Sequence, residues 1–170
     1  MSAKSSIRDT AIRFVLLRCT VGDMEFGVEI GAVLRVEGHL HIGGNCGAVD
    51  EPYGIHGGVY GIDTARLFLG EQTHTWSDAA KDIVLLYQNQ TFAMTADSVI
   101  GLYTARVDEL TTWYDPPDHP ATPFVRAFLP MADGILYVVN LRSVLRYIDT
   151  IDGEGDVTDE ASMERSEFNG

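Results

Sequence analysis

The chain has 170 residues, 45% of them hydrophobic, and a formal net charge of −13. That size predicts one globular domain with a substantial core, and no apolar run approaches the roughly 20 residues that span a bilayer. The charge argues against a phosphate-gripping basic face, so nucleic acid is not an expected partner.

Residues 1–11 are expected to form a flexible N-terminus without an apolar leader. That predicts the cytoplasm, no direct membrane insertion, and free thiols at Cys19 and Cys46. Ile12 to Thr20 reads as a strand, Gly22-Asp23 as a turn and Met24 to Val28 as its hairpin partner. Glu29 to Val36 places Ile30, Val33 and Leu34 at helical spacing, which predicts a short helix ended by Gly38. His39 to Gly58 is Gly-rich, holds Asp50-Glu51-Pro52, and predicts loop with short extended pieces. Val59 to Ile62 is a strand, and Ala65 to Leu69 one helical turn stopped by Gly70.

Polar Glu71 to Lys81 is the expected link between two halves. Ile83 to Tyr87 and Thr91 to Asp97 form a second hairpin around Asn89, and Val99 to Thr104 continues as a strand. Asp115-Pro116-Pro117-Asp118-His119-Pro120 predicts a rigid loop, since proline fixes φ and lacks an N–H. Phe124 to Met131 and Ile135 to Val139 form a last hairpin across Ala132-Asp133-Gly134. Asn140 to Tyr147 reads as a terminal helix with Asn140 as N-cap. From Asp149 to Gly170 there are eight acidic residues against Arg165 alone, which predicts a solvated, disordered tail after a domain spanning 12–148.

The chain also repeats itself. Phe14-Val15-Leu16-Leu17 followed by Glu25 to Val33 is echoed by Ile83-Val84-Leu85-Leu86 followed by Thr91 to Val99. Gly58 to Leu69 is echoed by Gly134 to Leu145, which sets Arg66 against Arg142, both read as salt-bridge formers. Many short strands separated by turn residues predict a mainly β fold, and the duplication predicts two barrel-like halves. Absence of βαβ alternation argues against a doubly wound sheet.

No nucleophile elbow, Walker-type loop or dinucleotide fingerprint occurs, so no catalytic residue and no cofactor is expected. His39, His41 and Cys46 are candidate metal ligands, since residues two apart on a strand share a face. A polar surface loop is the plainer reading, because no second ligand pair accompanies them. His56, His74 and His119 are scattered. Asp63, Asp97, Asp108 and Glu109 are read as solvated or capping carboxylates.

Taken in order, Phe14 to Arg18, Gly22 to Ile30 and Val33 resemble the opening of CheW-like domains, the coupling proteins of bacterial chemotaxis. His56 to Gly70 is similar to that family's Arg-Gly-x-x-x-Pro-φ-φ-Asp-Leu-Arg-x-x-x-Gly segment. Ala96-Asp97-Ser98-Val99 is similar to its V-D-x-V element, and Gly134 to Leu145 to its closing strand and helix. The resemblance implies a mainly β fold of two small five-stranded β-barrels with short helices and a C-terminal helix. It implies a non-catalytic adaptor whose partners are a chemotaxis histidine kinase regulatory domain, a chemoreceptor cytoplasmic tip and other CheW-like domains. His56 stands where the family has Arg, Gly61 where it has Pro, Thr64 where it has Asp and Arg35 where it has Glu. By matching positions, the implied partner surface comprises Ile30, Val33, Arg35 and Val36, then Ile55, His56, Gly57 and Val59, then Val99 and Leu102. The alternative is a divergent CheW-like module that no longer couples kinase to receptor and binds another protein or a small ligand.

Overall fold

The structure, a computed structural model, describes residues 12–39, 55–56, 59–70 and 73–154, with backbone alone for 55–56 and 151–154. The chain runs β1 (Arg13–Val21), β2 (Met24–Glu29), a 3-10 turn (Ile30–Ala32), β3 (Val33–Gly38), β4 (Ile55–His56), β5 (Val59–Ile62) and α1 (Thr64–Leu69). The second half runs β6 (Lys81–Tyr87), β7 (Gln90–Ala96), β8 (Ser98–Arg106), 3-10 turns at Val107–Glu109 and Thr122–Phe124, β9 (Val125–Met131), β10 (Gly134–Val139) and α2 (Leu141–Glu154).

Two expectations need correction. The helix expected over Glu29 to Val36 is only the turn at Ile30–Ala32, and Val33 onward is strand β3. A segment this short gains little as an isolated helix, whereas β-branched Val33 and Val36 suit a pleated surface once β6 lies alongside. The terminal helix also runs past Tyr147 to Glu154, into the segment assigned to the tail. Leu141, Val144, Leu145 and Ile148 are buried at three- and four-residue spacing, which anchors the helix through its third turn. The remainder of the expected tail and the expected flexible N-terminus lie outside the described residues.

The local punctuation follows from residue chemistry. Gly22 takes φ +54 in the first hairpin turn, and Gln88 and Asn89 take φ 48 and 62 in the second, the left-handed pair that suits a two-residue hairpin. Asp63 caps α1 by accepting the Arg66 N–H at 3.2 Å, and Asn140 caps α2 by accepting the Ser143 N–H at 3.2 Å. Gly70 closes α1 in the left-handed conformation, its N–H donated to the Arg66 carbonyl.

The strands pair as two five-stranded sheets. Sheet A has the order β8-β1-β2-β10-β9 and sheet B the order β3-β6-β7-β5-β4. Neither sheet is one sequence repeat. Each repeat keeps its own hairpin but lends its next three strands to the other: β3 pairs with β6, β8 with β1, β5 runs parallel to β7, and β10 parallel to β2. Among the described residues no ladder joins the outer strands of either sheet. In sheet A, however, Thr111, just beyond β8, bridges Phe128 on β9, with N···O distances of 2.9 and 2.8 Å both ways. The chain beyond one edge therefore reaches the other.

The strand registers refine the repeat. The pairs Cys19–Val99, Arg18–Gly101 and Leu17–Leu102 in sheet A match Leu85–Val33, Val84–Arg35 and Ile83–Val36 in sheet B. Leu17 is thus the spatial counterpart of Ile83, although the like-for-like apolar run suggested Phe14. The caps likewise set Asp63 against Asn140 and hence Arg66 against Ser143, not Arg142. Register follows the turn, and a similar apolar run does not reset it.

Alternation on β1 serves two cores. Leu16 faces a small cluster inside sheet A with Ala105, Ala127, Leu129, Leu136 and Val138. Leu17, Cys19 and Val21 face the larger cluster that both sheets and both helices share. There Phe26 of β2 meets Phe68 of α1 edge-on at 5.3 Å and 71°. Burying each ring contributes about 2 kcal/mol, and the edge-on geometry about 1 kcal/mol more.

Candidate functional site

Strand β3 is an outer strand of sheet B, and β8 an outer strand of sheet A. Each carries a β-bulge at the same repeat position. The ladder steps from Val33–Leu85 to Arg35–Val84, leaving Leu34 unpaired, and from Val99–Cys19 to Gly101–Arg18, leaving Ile100 unpaired. A bulge redirects the side chain it carries and twists an edge away from unwanted pairing. Leu34 and Ile100 are 52% and 50% exposed, and two residues on, Val36 and Leu102 are 41% and 63% exposed. Inboard of them, Val33 and Val99 are partly buried and pack on the shared core. Each edge therefore has an anchored valine and a bare apolar doublet.

Polar contacts frame these edges. Arg35 Nε donates to Glu37 Oε2 at 3.1 Å on β3, with both side chains about half exposed. Arg106, at the end of β8, donates through Nε and Nη2 to Asp108 at 2.9 and 2.6 Å, which holds that carboxyl below its ordinary range. Glu109 Oε2 accepts the Arg106 N–H at 3.0 Å. At the start of β8, Asp97 Oδ2 accepts the Gly22 N–H at 2.7 Å, and His74 Nε2 lies 3.0 Å from Asp97 Oδ1.

Of the residues expected on a partner surface, Ile30, Arg35, Val36 and Leu102 are exposed, while Val33, Val59 and Val99 are half-buried. Ile30, Val33, Arg35 and Val36 share one stretch but not one helix, since three of them lie on β3. Ile55 and His56 form β4, at the far edge of sheet B from β3; their side chains, and Gly57, lie outside the described residues. Sequence reasoning did not single out Leu34 or Ile100. Their apolar character was visible, but the bulge that turns them outward depends on a partner strand from the other repeat.

His39 has a structural employment. Its Nδ1 lies 2.9 Å from Asp82 Oδ1, which also accepts the Thr95 hydroxyl at 2.7 Å. Trp76 stands beside it at 6.0 Å and edge-on to His74 at 4.4 Å. His41 and Cys46 lie outside the described residues, and among the described residues no group of three or more His, Cys, Asp or Glu is placed to hold a metal. Asp63, Asp97 and Glu109 cap or pin backbone N–H groups, and Asp108 pairs with Arg106. Arg66 and Arg142 are exposed and form no ion pair among the described residues, contrary to the expected salt bridges, because their helix positions point into water. Cys19 is fully buried in the shared core, and burial pushes its thiol up to about 12.

No protein-family model matches the chain, and no curated protein matches it in sequence. Its fold is similar to that in the crystal structure of the scaffolding protein TtCheW from Thermoanaerobacter tengcongensis. The TM-score is 0.62 at 15% sequence identity, covering 79% of this chain and 88% of that one. The chain has a divergent CheW-like fold: mainly β, in two sheets, with short helices and a C-terminal helix. No helix of the described residues is long and apolar enough to cross a membrane.

Proposed function

We propose that this protein is a non-catalytic adaptor in chemotaxis-type signal transduction, coupling the regulatory domain of a sensory histidine kinase to the cytoplasmic tip of a chemoreceptor. The observation that carries the reading is the pair of bare apolar doublets, Leu34 with Val36 and Ile100 with Leu102, on the outer strands of two sheets in a CheW-like fold. An adaptor needs two faces that can be filled at once, and a duplicated fold supplies two from one design. Apolar side chains that stay bare in the free protein gain by being covered, at about 25 cal/mol per Å². The charges beside them, Arg35 with Glu37 and Arg106 with Asp108, supply a polar rim that selects among partners.

On this reading the first face is built from Ile30, Val33, Leu34, Arg35 and Val36, and the second from Val99, Ile100 and Leu102. Ile55 and His56 on β4, at the opposite edge of sheet B, with Val59 on the adjoining β5 and Gly57 between them in sequence, offer a third contact for another CheW-like domain. The test is a binding measurement with the purified kinase regulatory domain and receptor tip encoded in the same genome. The expected result is binding to each, with the three proteins co-eluting. A folded chain that binds neither overturns the coupling role and leaves the fold untouched.

A further inference from the structure

On another part of the surface, the β1–β2 turn, the end of α1 and the loop over residues 113–122 enclose a cleft of about 460 Å³. This lies within the range of small-molecule sites, about 300–1,000 Å³. Its walls are held close. A Cβ on Gly22 would stand 2.8 Å from Leu69 Cδ1, and one on Gly70 would stand 3.0 Å from Pro120 Cγ. The loop side is also tied to itself. Thr122 Oγ1 donates to the Pro117 carbonyl at 2.7 Å, and the Thr122 N–H donates to the His119 carbonyl at 3.0 Å. The turn side is pinned by the Gly22 N–H on Asp97.

The chemistry of the lining is one-sided. Trp113 and Tyr137 stand 6.1 Å apart at 43°, an aromatic corner, with the Met24 thioether and Leu69 adding apolar surface. Two carboxylates, Asp23 and Asp118, line the same cleft, and among the described residues no Lys or Arg does. Neither carboxylate has an ion-pair partner among the described residues. His119 Nδ1 is taken up inside the loop, accepting the Ala121 N–H at 3.1 Å. Aromatic faces attract cations, carboxylates attract them more strongly, and a chain of net charge −13 gathers them from solution. Anions are repelled by the same groups.

We propose that this cleft binds an organic cation, an ammonium or guanidinium on an apolar stem, with Asp23 and Asp118 balancing its charge and Trp113 and Tyr137 covering its stem. This goes beyond the adaptor role and does not depend on it. The cation can be a free small molecule or a Lys or Arg side chain of a partner protein, and the test separates the two.

The chain has two tryptophans, so Trp76→Phe leaves Trp113 as the only indole reporter. In case that variant loses stability, the Trp113 indole N–H resonance of the unaltered protein provides a second readout. The probes are butylguanidinium and butyltrimethylammonium, with pentanol and valerate as neutral and anionic controls, and a blocked peptide holding one Arg. The expected result is a saturable Trp113 response to both cations, weakened about tenfold or more by Asp23→Asn or Asp118→Asn and by the neutral control. A peptide about tenfold or more tighter than butylguanidinium assigns the site to a partner side chain, and a peptide no tighter assigns it to a small molecule. The proposal is overturned by no saturation with either cation, by an equal response to pentanol or valerate, or by cation binding that both Asn variants leave unchanged.

Discussion

Leu34 and Ile100 stand at the same point of two different sheets, each the residue that the ladder of an outer strand skips. They are about equally exposed, at 52% and 50%, although one follows the first hairpin and the other the second. Neither has its hairpin's own strands as ladder partner. The two bulges are thus one device used twice, and it leaves β3 and β8 apolar and bare at Leu34 and Ile100.

Val36→Asp and Leu102→Asp test that device. Both side chains are substantially exposed, and a charge on an edge strand is well tolerated. Unfolding in urea is expected to shift by no more than about 0.5 kcal/mol for either variant. Binding of the kinase domain or receptor tip is expected to weaken by about tenfold or more, each variant acting on a different partner. Titrations of both variants against both partners check this.

Arg35→Glu is expected to leave stability within about 0.5 kcal/mol, because an exposed pair such as Arg35–Glu37 contributes little. The variant places two acidic side chains where an ion pair stood. Association with a partner on that face is expected to change in rate and in salt dependence, which stopped-flow measurements at low and high salt will read.

Gly22→Ala and Gly70→Ala are expected to destabilise by about 1–2 kcal/mol each, since both glycines hold positive φ and an added Cβ meets Leu69 or Pro120. Gly31→Ala is the control, with nothing within 4 Å of its Cβ position. Equilibrium urea unfolding of the three variants decides the matter.

Asp63→Ala and Asn140→Ala each remove an N-cap and are expected to cost about 1 kcal/mol. The two caps have no shared partner, so the double variant is expected to cost the sum within about 0.5 kcal/mol. Urea unfolding of the two single variants and the double variant measures both claims.

Cys19 is expected to resist alkylation at pH 8 in the native protein and to react once the chain unfolds, as peptide-level mass spectrometry will show. Its folded thiol lies at about 12, above the ordinary 9.0. The folded state therefore holds the proton more tightly than the unfolded state. This contribution is fully present below pH 9 and is lost as pH rises from about 9 to about 12. Cys19→Ala is expected to flatten that part of the stability profile.

Much of this protein was legible in the chain. The hairpin turns at Gly22-Asp23 and Asn89, the α1 stop at Gly70 and the Asn140 cap are set by which residues tolerate a conformation or satisfy a nearby N–H. Those preferences act over a few residues, so sequence determines them directly. Ile30 to Val36 misled because a short apolar run fits both periods, and only β6 alongside decides for strand. Which hairpin β3 and β8 would join, how Leu17 comes to match Ile83, and where the bulges turn Leu34 and Ile100 outward were decided by the tertiary structure. An alternating strand records that one of its faces will be covered. It does not record which distant strand will bond its edge, because every backbone offers the same N–H and C=O, and the choice falls to the packing of the whole.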